Sequence, residues 1–266
     1  MSGPIIVGVD GPDAVAAATL AGALAPRLGR DLVLVHVAAD PPVFPYGDRR
    51  LRELQRRQAI AAGARLLTEV ADAADALQAE RVVEFGRPIE RLATLAESRE
   101  ADLLVVGSRG RRVLARALLE GVSGSLVATS PCPVVVVPNA LDDEAVRDAV
   151  HGPLLLGADG TESANRAGSV AAYIADRLET SVLPVRIKGP REAGDGAGPF
   201  ASRRRDVAGG LAGLAERLST PLLVVGTRGG NWLSGSVAQR LIATAPVPVV
   251  VVPRSSICRD AFAHAA

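Results

Sequence analysis

LLVVGSRGRRVLARALLEGVSGSLVATSPCPVVVVP, residues 103–138, sets an apolar run against a glycine-spaced loop, a helical stretch, a proline turn and a second apolar run. The same programme recurs at residues 222–253 as LLVVGTRGGNWLSGSVAQRLIATAPVPVVVVP. Each copy is preceded by an apolar run that closes on Asp-Gly: IIVGVDG at 5–11 and LLLGADG at 154–160. An internal repeat of this kind predicts two related units, with one site chemistry built twice.

Working outward, the apolar runs at 5–9, 32–37, 81–85, 103–106 and 134–137 are rich in Val, Leu and Ile without alternation. That fits parallel strands covered on both faces. Helical stretches at 13–28, 49–77, 89–99 and 122–129 fall between them. Alternating strand and helix argue for an open α/β sheet with right-handed crossovers. The second half repeats the scheme in shorter form, with strands at 154–158, 182–187, 222–225 and 247–252 and helices at 162–178, 203–218 and 236–243. A Gly/Pro/Ala-rich stretch at 188–202 stands where the first half has a long helix and its third strand. The expected organisation is a first unit at 1–140, a linker at 141–152, an abbreviated second unit at 153–256 and a tail at 257–266. The two PVVVVP-like last strands are expected at the edge of each sheet, where they can pair with one another.

Composition narrows the function classes. The chain has 266 residues, 48% of them apolar, and a formal net charge of +1, so no global charge points to nucleic acid or an anionic membrane. Cys132 and Cys258 make no disulfide framework, and the three histidines make no metal cluster with them. No apolar run reaches membrane-spanning length and the N-terminus carries no export signal, so a cytoplasmic location is expected.

In an open parallel sheet, ligands bind beyond the carboxyl ends of the strands where the topology reverses. Asp10 and Asp159 stand there. Each carboxylate can accept hydrogen bonds from a nucleoside, or can simply make the turn into the next helix. The loops from Gly107 to Gly110 and from Gly226 to Gly229 allow close approach of backbone to a ligand. Gly235 and Ser236 open a helix whose N–H groups suit a phosphate. His36, inside an apolar strand, reads as a structural histidine, and Cys132, between two prolines, as a turn residue. Arginines at 49–57 read as a basic, solvent-facing start to a long helix.

With these motifs in place, the chain resembles a tandem universal stress protein over nearly all of residues 4–138 and, less completely, 153–253. The family pattern is Gly-x2-Gly-x9-Gly-Ser/Thr, then a helix, a proline turn and a last strand. The resemblance implies two tandem open parallel-sheet nucleotide-binding domains of the HUP/Rossmann-like kind, the second abbreviated. It implies ATP or a related adenine nucleotide, with or without Mg2+, as cofactor in those members that bind one. Asp10 and Val37 match the positions that contact adenosine, and Gly107 and Gly110 match the ribose and phosphate loop. Counting nine residues past Gly110 reaches Glu120 and Gly121, where the pattern has Gly-Ser. A glutamate about 5 Å from a phosphate costs roughly 3 kcal/mol per like-charge pair at an effective dielectric near 20. In the second unit Asp159, Gly226, Gly229, Gly235 and Ser236 all match, but only residues 230–234 separate Gly229 from Gly235. Ile187 takes the place of Val37 there.

The leading expectation is a stress-response regulator set by bound adenine nucleotide. Beside it stand a nucleotide-free interaction scaffold of the same fold and, further back, a slow ATP hydrolase. No nucleophile with a paired base is visible for an enzyme. The expected partners are an adenine nucleotide, the other half of the chain through the last strands, and a second copy in a homodimer.

Overall fold

The computed structural model describes residues 3–41, 49–108, 126–138, 141, 151–186, 206–227 and 236–254. Among them, nine strands make one sheet: β1 (Ile5–Gly8), β2 (Leu32–Ala38), β3 (Glu80–Phe85), β4 (Leu103–Gly107), β5 (Val134–Val137), β6 (Leu154–Gly157), β7 (Val182–Val185), β8 (Leu223–Gly226) and β9 (Val249–Val252). Their order is β3-β2-β1-β4-β5-β9-β8-β6-β7. Every neighbouring pair is parallel except β5 and β9, which run antiparallel with Val134 opposite Val251, Val135 opposite Val250 and Val136 opposite Val249.

Helices cover both faces, which is why the inner strands β1, β4, β5, β8 and β9 are apolar along their length, while the edge strand β3 carries Glu80, Arg81 and Glu84. On one face lie α1 (Val15–Leu28), α2 (Arg49–Ala73) and α5 (Glu162–Arg177), packed on Ile5, Val7, Val105, Val135, Val224 and Val250. On the other lie α3 (Pro88–Ser98), α4 (Leu126–Thr129), α6 (Val207–Arg217) and α7 (Val237–Thr244), packed on Ile6, Val35, Val106, Val136, Leu223 and Val251. Alternate residues of each strand serve opposite layers, as the period of two demands. A 3-10 turn at Pro12–Ala14 leads into α1. Gly29, at φ +63°, ends α1, and the Arg30 amide behind it reaches back to Ala25 O at 2.9 Å.

The last strands close their own half-sheets and pair with one another, as expected, which places them at the centre of the joined sheet. One boundary differs from the sequence expectation for a physical reason. The second helix stops at Ala73 rather than Leu77, where Asp75 takes a positive φ of 54°. The expected helix at 122–129 is described only from Leu126 onward, and the stretch at 188–202 lies outside the described residues.

Reading inward from each edge, β2-β1-β4-β5 matches β7-β6-β8-β9, with no described counterpart of β3. Among the described residues β7 is therefore an edge strand, and it carries Pro184, which an edge tolerates because its missing N–H breaks no ladder. On the α1 and α5 face the halves meet around Arg30, whose guanidinium pairs with Asp102 and donates to the Tyr173 hydroxyl at 2.6 Å. The Arg30 and Asp102 side chains are only 8% and 5% exposed, so this is a buried ion pair within the first half, and the Arg30 bond to Tyr173 ties it to α5 of the other.

Candidate functional site at the carboxyl ends of the strands

The chain leaves β1 for β2 and β3 on one side and returns to β4 on the other, so the topology reverses between β1 and β4. The equivalent reversal in the second half lies between β6 and β8. These two crevices receive Asp10 with Gly107, and Asp159 with Gly226, as the strand rule requires.

In the first crevice the backbone runs in register past the strand ends. Val9 N donates to Val35 O and Ser108 N to Val137 O, both at 2.8 Å. His36 Nδ1 lies 2.8 Å from Val9 O. A carbonyl can only accept, so Nδ1 carries the proton and the imidazole pins the backbone just before Asp10. The other edge of that ring packs under α2, where a Cβ on Gly63 would stand 2.9 Å from His36 Cδ2. His36 is thus structural, and it positions Asp10. Val37 is half-buried on the opposite face of β2, and Gly107 is half-buried at the end of β4.

Asp10 is left in an unusual state. Its Oδ2 is buried and has no hydrogen-bond partner among the described residues. Burial pushes its pKa above the ordinary 3.8; a hydrogen bond from its own backbone amide opposes this, Asp13 adds to it and His36 opposes it.

The second crevice is built differently. Asp159 Oδ1 accepts from Thr161 N at 3.0 Å and from Thr161 Oγ1 at 2.5 Å. Thr161 Oγ1 in turn accepts from Ala164 N at 3.3 Å and caps α5. This carboxylate forms the turn, the plainer of the two roles open to an Asp-Gly. The cause is one residue: Pro12 stands where Thr161 stands in the repeat, and proline offers neither an N–H nor a hydroxyl. The signal was present in the sequence as Asp-Gly-Pro against Asp-Gly-Thr, since Asp two residues before a Thr favours such a turn.

Gly226 also serves packing. A Cβ there would overlap the Ser163 carbonyl oxygen, so its bareness lets β8 pass under the first turn of α5. Ser236 Oγ accepts from Gln239 N at 3.2 Å and caps α7. Cys132 is buried in its turn, where Ser130 Oγ donates to Cys132 O at 2.7 Å. The candidate positions Gly110, Gly121, Ile187, Gly229 and Gly235, with Glu120, lie outside the described residues. Among the described residues no group of three or more His, Cys, Asp or Glu is placed to hold a metal ion, and no helix is long and apolar enough to cross a membrane.

The fold and its two crevices define a class: α/β proteins with a parallel sheet and a ligand crevice at each switch point. The pattern of the universal stress protein family matches residues 1–138 and 190–253. Universal stress protein Rv2005c of Mycobacterium tuberculosis is 31% identical over 94% of this chain and 97% of its own. A universal stress protein of Thermus aquaticus is 36% identical over 50% of this chain and 96% of its own. The crystal structure of a universal stress protein from Archaeoglobus fulgidus shares the fold with a TM-score of 0.64 at 16% identity, covering 96% of this chain and 97% of that one. The chain belongs to the universal stress protein family.

Proposed function

We propose that this universal stress protein is an adenine-nucleotide-binding stress regulator and that it binds one nucleotide per chain, ATP or a close relative, in the crevice between β1 and β4. The observation that carries this reading is the buried, unpartnered Oδ2 of Asp10. A buried acceptor without a donor costs about 1–3 kcal/mol, and a ribose hydroxyl or an exocyclic amine would recover that. Val37 would line the base, and Gly107, Gly110 and Gly121 the ribose and phosphates. Mg2+, if it accompanies the nucleotide, would be held by the phosphates.

The second crevice, with Ile187, Gly229 and Gly235, is a structural copy in this proposal because Asp159 is already engaged by Thr161. In this view the repeats at 1–140 and 153–256 divide the work: one binds, and the other supplies the partner surface that a second subunit would otherwise give. The protein acts as a binding module rather than an enzyme. The competing scaffold reading is favoured by the engagement of Asp159 and by the packing role of Gly226.

Calorimetric titration of Mg-ATP into nucleotide-stripped protein tests the choice. The expected stoichiometry is one per chain, abolished by Asp10→Ala and unaltered by Asp159→Ala. Binding that survives Asp10→Ala overturns the assignment of the site. No heat with ATP, ADP or AMP at two temperatures favours the nucleotide-free scaffold.

A further inference from the structure

The two outer strands of the sheet are finished differently. Leu154 N donates to Ser181 O and Ala158 N to Val185 O, so the residues of β7 that bond to β6 alternate with Val182 and Pro184, which face outward. Pro184 therefore sets its missing N–H at the open edge, and a further strand would find no donor there. β3 has no such block. It pairs one to one with β2 from Glu80 to Phe85, without proline and without a bulge. Gly86 N donates to Ala38 O at 3.0 Å, and that parity turns the N–H and C=O groups of Arg81, Val83 and Phe85 away from β2. These groups have no backbone partner among the described residues. Charge does not guard the edge either, because α3 of the same chain already holds both glutamates of β3: Arg99 donates to Glu80 at 2.5 and 2.8 Å, and Arg91 to Glu84 at 2.8 Å.

The helix above this edge is matched to it. On one flank of α2, Gln55, Ala59 and Leu66 are half-buried, and Leu66 joins the core that α1 shares. The other flank is turned from α1, toward the β3 side of the sheet. It reads Arg57, Ala61, Ala64, Thr68 and Asp72 at helical spacing, all exposed. A cation stands at one end of this stripe, an acid at the other and small side chains between. Laid antiparallel on itself, the stripe sets Arg57 beside Asp72 and Ala61 beside Thr68, with Ala64 at the centre. Gly63 lies directly over Val83, where an added Cβ would be 3.1 Å from Val83 Cγ2, so the middle of the stripe sits above the middle of the open strand edge.

We propose that β3 and α2 form the interface of a homodimer, the β3 strands of two copies running antiparallel about a twofold axis at Val83. In that register Val83 faces its own copy, Arg81 faces Phe85 and Val82 faces Glu84. Each outward N–H then meets a C=O, and no like charges stand directly opposite. The two α2 helices lie side by side, and their small residues permit close approach. A single extended peptide would satisfy the strand but leave the α2 stripe unmatched, which favours a second copy of this chain. Because Pro184 blocks β7, the sheet cannot continue from its other end, and the assembly closes as a dimer instead of growing into a filament.

Sedimentation velocity of the full chain over a concentration series tests this. The parent should pass from monomer to dimer and no further. Arg81→Pro removes an outward donor from an exposed residue, as Pro184 does in β7, and Ala64→Arg fills the helix flank. Each should weaken dimerisation about tenfold or more, with far-UV circular dichroism matching the parent. Should Arg81→Pro lose its dichroism, Ala64→Arg decides the matter. Asp72→Arg should weaken the dimer and Arg57→Asp in the same chain should restore it. Under mild oxidation Ala64→Cys should give a disulfide-linked dimer that disappears when Arg81→Pro is added. A parent that stays monomeric throughout, a dimer indifferent to Ala64→Arg, or association beyond the dimer overturns the proposal.

Discussion

Asp10 and Asp159 occupy the same place in the repeat and do different work because Pro12 replaces Thr161. That contrast supports two experiments. The folded state holds the Asp10 proton more tightly than the unfolded chain does, so ionised Asp10 costs stability above its raised pKa and costs nothing below 3.8. Between those values stability falls as pH rises. Asp10→Asn should therefore raise the melting temperature of nucleotide-free protein at pH 7 by about 2 °C, with no gain below pH 3.8, while nucleotide binding is lost. A lower melting temperature at pH 7 would show that Asp10 has a partner the reading lacks. In the reverse direction, Pro12→Thr should close the turn onto Asp10 as Thr161 does onto Asp159. Nucleotide affinity should drop about tenfold with the fold intact, and calorimetry beside a thermal melt would separate the two effects.

Among elements, helix-to-strand contact explains glycines that loop chemistry alone does not. Gly226 sits beneath the backbone of Ser163, so Gly226→Ala must push α5 off β8. The expected cost is about 3 kcal/mol in urea unfolding, the same with and without nucleotide. A variant of native stability that fails only in binding would show that Gly226 serves the ligand rather than the packing. Gly63 plays the same part for α2 over His36 and Val83, and the second half has no described helix or strand at that level. Arg186 there stands in the place of His36, so the position that pins the Asp10 turn is an arginine in the second half. These contacts join residues far apart in the chain, and for that reason local pattern did not reveal them. The strands and the alternation of elements were legible because continuous Val, Leu and Ile runs are what a doubly covered sheet requires.

At the scale of the molecule, the β5–β9 pairing makes one sheet from two repeats, with Val135 and Val250 fully buried at the junction. The Arg30, Asp102 and Tyr173 cluster ties α5 to the first half on one face. A continuous core predicts a single cooperative transition, with signals from both halves moving together in urea. Arg30→Ala leaves Asp102 buried without its counter-charge and should cost about 3–5 kcal/mol. Arg30→Ala combined with Asp102→Ala should recover part of that loss, because the stranded charge is gone. Two separated transitions in the parent protein would show that the halves fold independently.

The chain alone determined the class of fold, the repeat, the central role of the PVVVVP strands and the positions of Asp10 and Asp159 at the switch points. All of these follow from period, apolar runs and turn chemistry, which act between near neighbours. Tertiary structure decided that Asp159 is engaged by Thr161 while Oδ2 of Asp10 is buried with no partner among the described residues, since that depends on what surrounds each carboxylate once the strands are aligned. It also decided that Gly226 packs beneath the first turn of α5 and that His36 bonds to the backbone just before Asp10. It decided that the arginine-rich start of α2 lies off the core. Burial is a property of the assembled molecule, and no local stretch of sequence carries it.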